Sequence, residues 1–390
     1  MKKYNFDKTI DRKTTYSVRW DVKEGELPLN IADMDFEVLP EIKEAIKKRS
    51  ELDCFGYIDT PKEYFDAYIY WWKNRHDLEL KREWFMFSSS VVGSIDSILK
   101  TLLKEKDQVV MMTPIYNVFY NCIKNAGLFL KANSLIYNGK TYDIDWDNLE
   151  KLLSEKETKA FILCNPHNPV GRGFSLEEID RIINLCKQYD VYLISDEIHC
   201  DIDYNKNKYT SVFHSDISDY QKIILLLSPT KIFNIAGLQT STVLIKDEQL
   251  KEKIQNGLYR DDIGEPNYFA VDPVIAAYNN GEQYVTRINE YLRENFEFLQ
   301  YFFDKFLKNL KIVPVSFTYL IWIDISHYGL DSKEFTSGLK KNTGLIVAPG
   351  ENYGKEGTYF IRLNIATPRY LLEDACNRLF KYIKQLEGEK

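Results

Sequence analysis

The sequence predicts an α/β protein: a large domain on a mostly parallel sheet with helices on its faces, then a smaller α+β C-terminal domain. Three observations predict it. Short apolar runs alternate with helical patterns through the middle of the chain, as in a parallel sheet covered by helices. After about residue 285 the texture changes to one long amphipathic stretch followed by short strands. Each middle strand ends in a polar cluster, and in such sheets the carboxyl ends share the edge where ligands bind.

Taken in order, the first 45 residues are too loop-rich to fold alone and are expected to pack on the small domain. The expected divisions are 1–45, 46–285 for the large domain, and 286–390 for the small one. Trp84–Phe87, Val109–Met112, Ala160–Cys164, Val191–Ile194, Ile223–Leu227 and Thr242–Ile245 read as strands, being short apolar runs bounded by turn residues. Between them, Ser94–Leu103 and Leu176–Tyr189 carry apolar residues at i, i+3, i+4 and i+7, and Ser175-x-x-Glu178 reads as a capping box. A long helix over Val285–Leu310 leads to strands at Tyr319–Ile325, Ile346–Ala348 and Tyr359–Asn364, with a short helix among them and a final helix from Tyr370.

Composition narrows the function classes. The 390 residues hold 51 Lys plus Arg against 58 Asp plus Glu, a net charge of −7 with no basic block, which excludes nucleic acid and anionic membrane as partners. Hydrophobic residues at 44% and aromatic ones at 14% exclude disorder. The longest aliphatic run, Ile223–Leu227, falls far short of the roughly 20 residues that span a bilayer. Tyr4-Asn5-Phe6-Asp7-Lys8 stands where a signal peptide needs its apolar core, so a soluble cytoplasmic protein is expected. Six cysteines are scattered without a C-x-x-C pair or a Cys/His cluster at metal spacing; Cys164 and Cys186, in apolar surroundings, read as structural thiols.

The polar strand ends carry the chemistry. They are Ser88-Ser89-Ser90, Thr113-Pro114-Ile115-Tyr116, Asn165-Pro166-His167-Asn168-Pro169, Ser195-Asp196-Glu197-Ile198-His199 and Ser228-Pro229-Thr230-Lys231. Ser88–Ser90 followed by Val91-Val92-Gly93 opens a helix, which suits either a serine N-cap or a phosphate on the free amides. There is no G-x-G-x-x-G and no G-x-x-x-x-G-K-[ST]. Asp196 and Lys231 are either a structural ion pair or the two ends of a cofactor site: amine for an aldehyde, carboxylate for a ring nitrogen, helix start for a phosphate. Pyridoxal phosphate has all three groups.

Leu225–Leu238, L-L-L-S-P-T-K-I-F-N-I-A-G-L, resembles the cofactor-lysine segment of fold-type I pyridoxal-phosphate enzymes of the class I/II aminotransferase family. Asn168-Pro169-Val170-Gly171 is similar to their N-P-x-G loop, and Ser195–His199 to their ring-nitrogen aspartate segment. Asn30-Ile31-Ala32-Asp33-Met34-Asp35-Phe36, Phe55-Gly56-Tyr57, Thr318-Tyr319-Leu320 and Ile361-Arg362-Leu363-Asn364 resemble the MalY/PatB-type cystathionine β-lyase branch.

That resemblance implies roles. Lys231 holds the cofactor and acts as base at Cα, and Asp196 keeps the ring nitrogen protonated. Asn168 donates to the phenolic oxygen, and Tyr116 stacks on the ring. Ser90, Val91 and Val92, with the hydroxyls of Ser228 and Thr230, hold the phosphate. Arg362, with Ala32 and Asn168, receives the substrate's α-carboxylate. Tyr57 reaches the partner subunit's site, which implies a homodimer. Two positions depart from the common aminotransferase pattern. Gln239 stands where a phosphate-binding arginine is usual, and His199 where a tyrosine is usual; His199 is open between a satisfied structural histidine and a cofactor contact. Both departures favour a C–S β-lyase acting on L-cystathionine or related cysteine S-conjugates. An aminotransferase, or a regulatory protein that keeps the fold, are the alternatives.

Overall fold

The computed structural model describes residues 4–204 and 209–388. Seven strands form the large sheet: β1 (Phe85–Ser88), β2 (Gln108–Thr113), β3 (Phe129–Ser134), β4 (Thr158–Cys164), β5 (Tyr192–Asp196), β6 (Ile223–Leu227) and β7 (Ser241–Leu244), in the order β1-β7-β6-β5-β4-β2-β3. Only β7 runs against its neighbours, pairing Thr242 with Leu227 on one side and Phe87 on the other. Side chains alternate between faces, and the central runs are apolar on both because both faces are covered. Ile223, Leu225 and Leu227 enter one buried cluster, Ile224 and Leu226 the other.

Six of these strands coincide with the expected ones to within two residues. The seventh, β3, has no apolar run to betray it. Its sequence is Phe-Leu-Lys-Ala-Asn-Ser at the sheet edge, with Phe129 56% exposed and Asn133 its one buried side chain. Helix α1 (Val91–Leu102) begins three residues before the expected start, and α2 (Leu176–Gln188) opens with the expected capping box, Ser175 Oγ accepting from Glu178 N.

The second sheet joins β8 (Lys311–Ile312), β9 (Leu320–Asp324), β10 (Ala348–Pro349) and β11 (Phe360–Asn364) in the antiparallel order β8-β9-β11-β10. Register sets Leu320 opposite Asn364 and Trp322 opposite Arg362. Helix α3 (Glu282–Phe306) leads into this sheet, running through residue 285; α4 (Ser332–Thr343) and α5 (Arg369–Leu386) cover it. The strand expected at Ile346–Ala348 is divided. Leu345–Ile346 pairs in parallel with Leu27–Pro28, whereas Ala348–Pro349 pairs with β11. Leu29 N then bonds Ile346 O at 2.8 Å and Asp35 N bonds Ala366 O at 3.0 Å, which lays residues 29–36 against the small sheet. Among the described residues no helix is long and apolar enough to cross a membrane.

Candidate active site

Parallel strands deliver their carboxyl ends to one edge, and here five ends meet at a cavity of about 260 Å³. After β1, Ser90 caps α1: its Oγ accepts from Gly93 N at 3.0 Å, and the first intrahelical bond runs from Ser94 N to Ser90 O at 2.9 Å. Val91 and Val92, which line the cavity, therefore have amides ahead of the helical ladder. Beyond β2 comes Tyr116, beyond β4 Asn168, and at the end of β5 Asp196 with His199; beyond β6 come Ser228, Thr230 and Lys231. Ala32 closes the wall.

Burial governs the charges. It pushes the Asp196 carboxyl up to about 6, partly offset by the Ile198 amide, 3.1 Å from Oδ1, and by the charge on Lys231. Burial, aided by Arg362, brings the Lys231 amine down to about 8 against the pull of Asp33 and Asp196. His199 is held neutral, first by burial and then by the charges of Lys231 and Arg362. The structural ion-pair reading does not hold. Lys231 Nζ donates to Ala32 O at 2.9 Å, Asp196 accepts from a backbone amide, and no salt bridge joins the two among the described residues.

These groups form an unbalanced set for a protein interior. A buried carboxylate has one backbone donor, His199 Nδ1 has no partner, and two helix-start amides face the same cavity. Pyridoxal phosphate fits: its ring nitrogen answers the carboxylate, its aldehyde the amine, its phosphate the amides. Gln239 lines the phosphate end in place of a cation, so amides and hydroxyls carry that contact. Of those hydroxyls, Ser228 Oγ already donates to Thr240 O at 2.8 Å and lies 2.8 Å from Thr230 Oγ1.

Arg362 lies behind the wall. Its Nη1 donates to Asn168 Oδ1 and its Nη2 to Asn30 O, both at 3.0 Å, and its guanidinium carbon sits 4.5 Å from the centre of the Tyr353 ring. Because Asn168 Oδ1 faces the guanidinium, its Nδ2 is the group left to donate in the cavity. Tyr57 is not brought to this cavity. It is fully exposed beside a separate open cleft of about 1310 Å³, and the two cavities meet at Ser89 and Gln239, which line both.

Two wall features were not read from the sequence. Cys164, expected to be a structural thiol in apolar surroundings, lines the cavity at the end of β4, where burial and Asp196 push its thiol well up. Residues 30–36 have irregular backbone whose carbonyls are held by side chains. Asn364 Nδ2 donates to Ile31 O and Asp33 O, both at 2.7 Å; Asn234 Nδ2 to Met34 O and Phe36 O; Tyr319 OH to Ala32 O at 3.1 Å. Arg12 and Arg19 bind Asp33 and Asp35 from the other side. The signal was present in the motifs around Asn30–Phe36, Tyr319 and Asn364, but nothing in their spacing says that they meet.

Comparison with known proteins agrees with this geometry. The model of the family "aminotransferase class I and II" matches residues 24–379. Cystathionine beta-lyase PatB of Bacillus subtilis (strain 168) is 36% identical over 383 residues, covering 96% of this chain and 98% of the relative. Protein MalY of Escherichia coli (strain K12) is 28% identical, covering 98% and 99%. The crystal structure of the PLP-bound C-S lyase from Staphylococcus hominis superposes with a TM-score of 0.91 at 31% identity, covering 97% of this chain and 98% of that one. The match spans both sheets, since it runs from residue 24 to residue 379. The chain belongs to the aminotransferase class I and II family.

Proposed function

We propose that the protein is a pyridoxal-phosphate-dependent C–S β-lyase, cleaving L-cystathionine or related cysteine S-conjugates to a thiol, pyruvate and ammonia. One juxtaposition carries the reading. Lys231 and Asp196 share a cavity backed by Arg362, in a chain 36% identical to a relative named cystathionine beta-lyase.

Bound in this cavity, pyridoxal phosphate supplies an aldehyde for the substrate's amine and a cationic ring that withdraws electrons from Cα. The residues divide the remaining work. Val91, Val92, Ser90 and Thr230 would hold the phosphate, with Ser228 fixing Thr230; Tyr116 would face the ring, and Asn168 and His199 its phenolic oxygen. Asp196 keeps a proton on the ring nitrogen, since a buried carboxylate is costly to leave without a cationic partner. Arg362 receives the α-carboxylate on its fork, beside Asn168 and Ala32. The Lys231 amine, near 8, is neutral in a substantial fraction at working pH and takes the Cα proton. Electrons left at Cα would expel the thiolate from Cβ, the thiolate would take up a proton, and water would hydrolyse the released enamine to pyruvate and ammonia.

The same reading makes the protein a cytoplasmic homodimer in which Tyr57 serves the partner's cavity. Phe55, half-exposed, and Tyr57 on an open cleft that abuts the phosphate end support this. It also divides the chain at 45/46 and 285/286.

Purified protein incubated with L-cystathionine should release pyruvate, ammonia and homocysteine thiol in equal amounts without any added keto acid. Turnover that requires 2-oxoglutarate and returns glutamate would make it an aminotransferase. Borohydride reduction and peptide mapping should place the cofactor on Lys231; an adduct on another lysine would remove the basis of the reading.

A further inference from the structure

Tyr319 is buried and precedes β9, and it belongs to a motif that the reaction above leaves without a task. Its hydroxyl donates to Ala32 O at 3.1 Å, and Lys231 Nζ donates to the same oxygen at 2.9 Å. A carbonyl oxygen has two lone pairs, so these two donors complete it. The oxygen cannot drift, because Asn364 holds the carbonyls on either side, Ile31 O and Asp33 O, at 2.7 Å. Tyr319 is itself fixed. Ile365 N bonds its carbonyl at 2.9 Å. The preceding Thr318 is held at φ +68°, a conformation that a β-branched residue adopts only when its surroundings impose it.

We propose that Tyr319 is a positioning residue for Lys231: through the Ala32 carbonyl it fixes where the amine sits while free, and so turns the amine's lone pair away from that carbonyl and into the cavity. An N–H of the amine points at Ala32 O in either protonation state. The remaining valences, including the lone pair that receives the Cα proton, must then point elsewhere, and the cavity is the open side. Tyr319 also tunes the amine. By occupying one lone pair it makes Ala32 O a weaker acceptor, which favours the neutral amine. Burial keeps the phenol protonated, so it remains a donor. The proposal rests on the assignment of Lys231 as the cofactor lysine, which the borohydride adduct tests separately.

The test reads the amine directly. In full-length chain stripped of cofactor and labelled with ¹³C at lysine Cε, the Lys231 resonance is identified by its loss in Lys231→Ala. Its titration midpoint should rise in Tyr319→Phe by about half a pH unit, the scale of one neutral hydrogen bond. Replacement of Tyr319 by 2,3-difluorotyrosine, a stronger donor of nearly the same shape, should lower it, and this arm stands if the Phe variant does not fold. In the loaded enzyme Tyr319→Phe should lower kcat about three- to tenfold, the effect of a misplaced base, with KM within twofold because Arg362 is untouched. Unmoved midpoints in both variants, or a raised KM at unchanged kcat, would overturn the proposal and leave Tyr319 a packing residue. If the adduct maps to Lys231 while the midpoints stay fixed, the inference fails and the assignment of Lys231 survives.

Discussion

Substituting Arg362 by lysine keeps the charge and removes the fork. Arg362 spends its two terminal nitrogens in different directions, Nη1 on Asn168 Oδ1 and Nη2 on Asn30 O, and its guanidinium carbon lies 4.5 Å from the centre of the Tyr353 ring. An ammonium is a point donor on a thinner stem and cannot serve both carbonyl groups and a carboxylate pair. The loss at the substrate is one charge-assisted hydrogen bond, about 1.5–3 kcal/mol, or roughly a ten- to hundredfold fall in kcat/KM at about 1.4 kcal/mol per tenfold. Because the α-carboxylate is bound alike before and during reaction, most of the fall should appear in KM. The assay is steady-state pyruvate release from L-cystathionine, with thiol release from a cysteamine S-conjugate, which lacks the carboxylate, as the companion substrate. Parent and variant should handle the companion almost equally. A folded Arg362→Lys enzyme whose KM stays within twofold, or that discriminates the two substrates as sharply as the parent, would refute the assignment of Arg362.

Three further outcomes are expected. The Asp196 carboxyl titrates near 6 against an ordinary 3.8; between those values the folded chain holds the extra proton, so stability falls as pH rises through that window and stays low above it. Asp196→Asn should therefore stabilise the cofactor-stripped chain at pH 8 by up to about 3 kcal/mol, at 1.36 kcal/mol per pH unit, while slowing turnover by orders of magnitude; equal melting and equal turnover would refute it. Arg19 is buried, donating to Pro28 O at 3.0 Å and Asp33 O at 2.8 Å, with Nη2 2.8 Å from Asp35 Oδ2. Arg19→Met should destabilise by about 3 kcal/mol in urea unfolding, the low end for a broken buried pair because Asp35 keeps Arg12, Trp20 and Thr367; an unchanged midpoint would show that the pair contributes nothing. Mixing inactive Tyr57→Ala and Lys231→Ala subunits should restore some activity, and none after verified exchange would place Tyr57 outside the partner's site.

What could be read from the sequence follows the physics of each signal. The strands that bear site residues are apolar on both faces, so Ile223–Leu227 or Ala160–Cys164 stand out, and the polar residues just beyond them are legible as a shared edge. β3 lies at the border of the sheet, where half-exposed side chains remove the pattern. Cys164 joins the buried apolar cluster that its neighbours in sequence announce, but that it also lines the cavity follows from its place as the last residue of a strand, which no apolar pattern marks. The contact of Tyr319 with Ala32 depends on a segment near residue 30 lying along the small sheet, 287 positions away in the chain, and no local pattern encodes that. For Tyr57 the sequence shows a motif and the structure an exposed ring on a cleft that abuts the cavity; a contact with a second copy would be a property of an assembly, which one chain's local preferences do not encode.

The wall formed by residues 30–36 has a consequence for the order in which the molecule can be built. Its carbonyls are held by Lys231, Asn234, Tyr319 and Asn364, which lie 199, 200, 287 and 333 positions away along the chain for the bonds to Ala32, Met34, Ala32 and Ile31. None of these bonds helps its neighbour form early, and each closes a long loop. During synthesis residues 30–36 are made before all four partners and must wait for the last of them until residue 364 has left the ribosome. The large sheet, which carries every cofactor contact named above, can assemble before that, so closure of the cavity by its wall is a late event, and nascent chains arrested before residue 319 should leave residues 30–36 open to proteolysis.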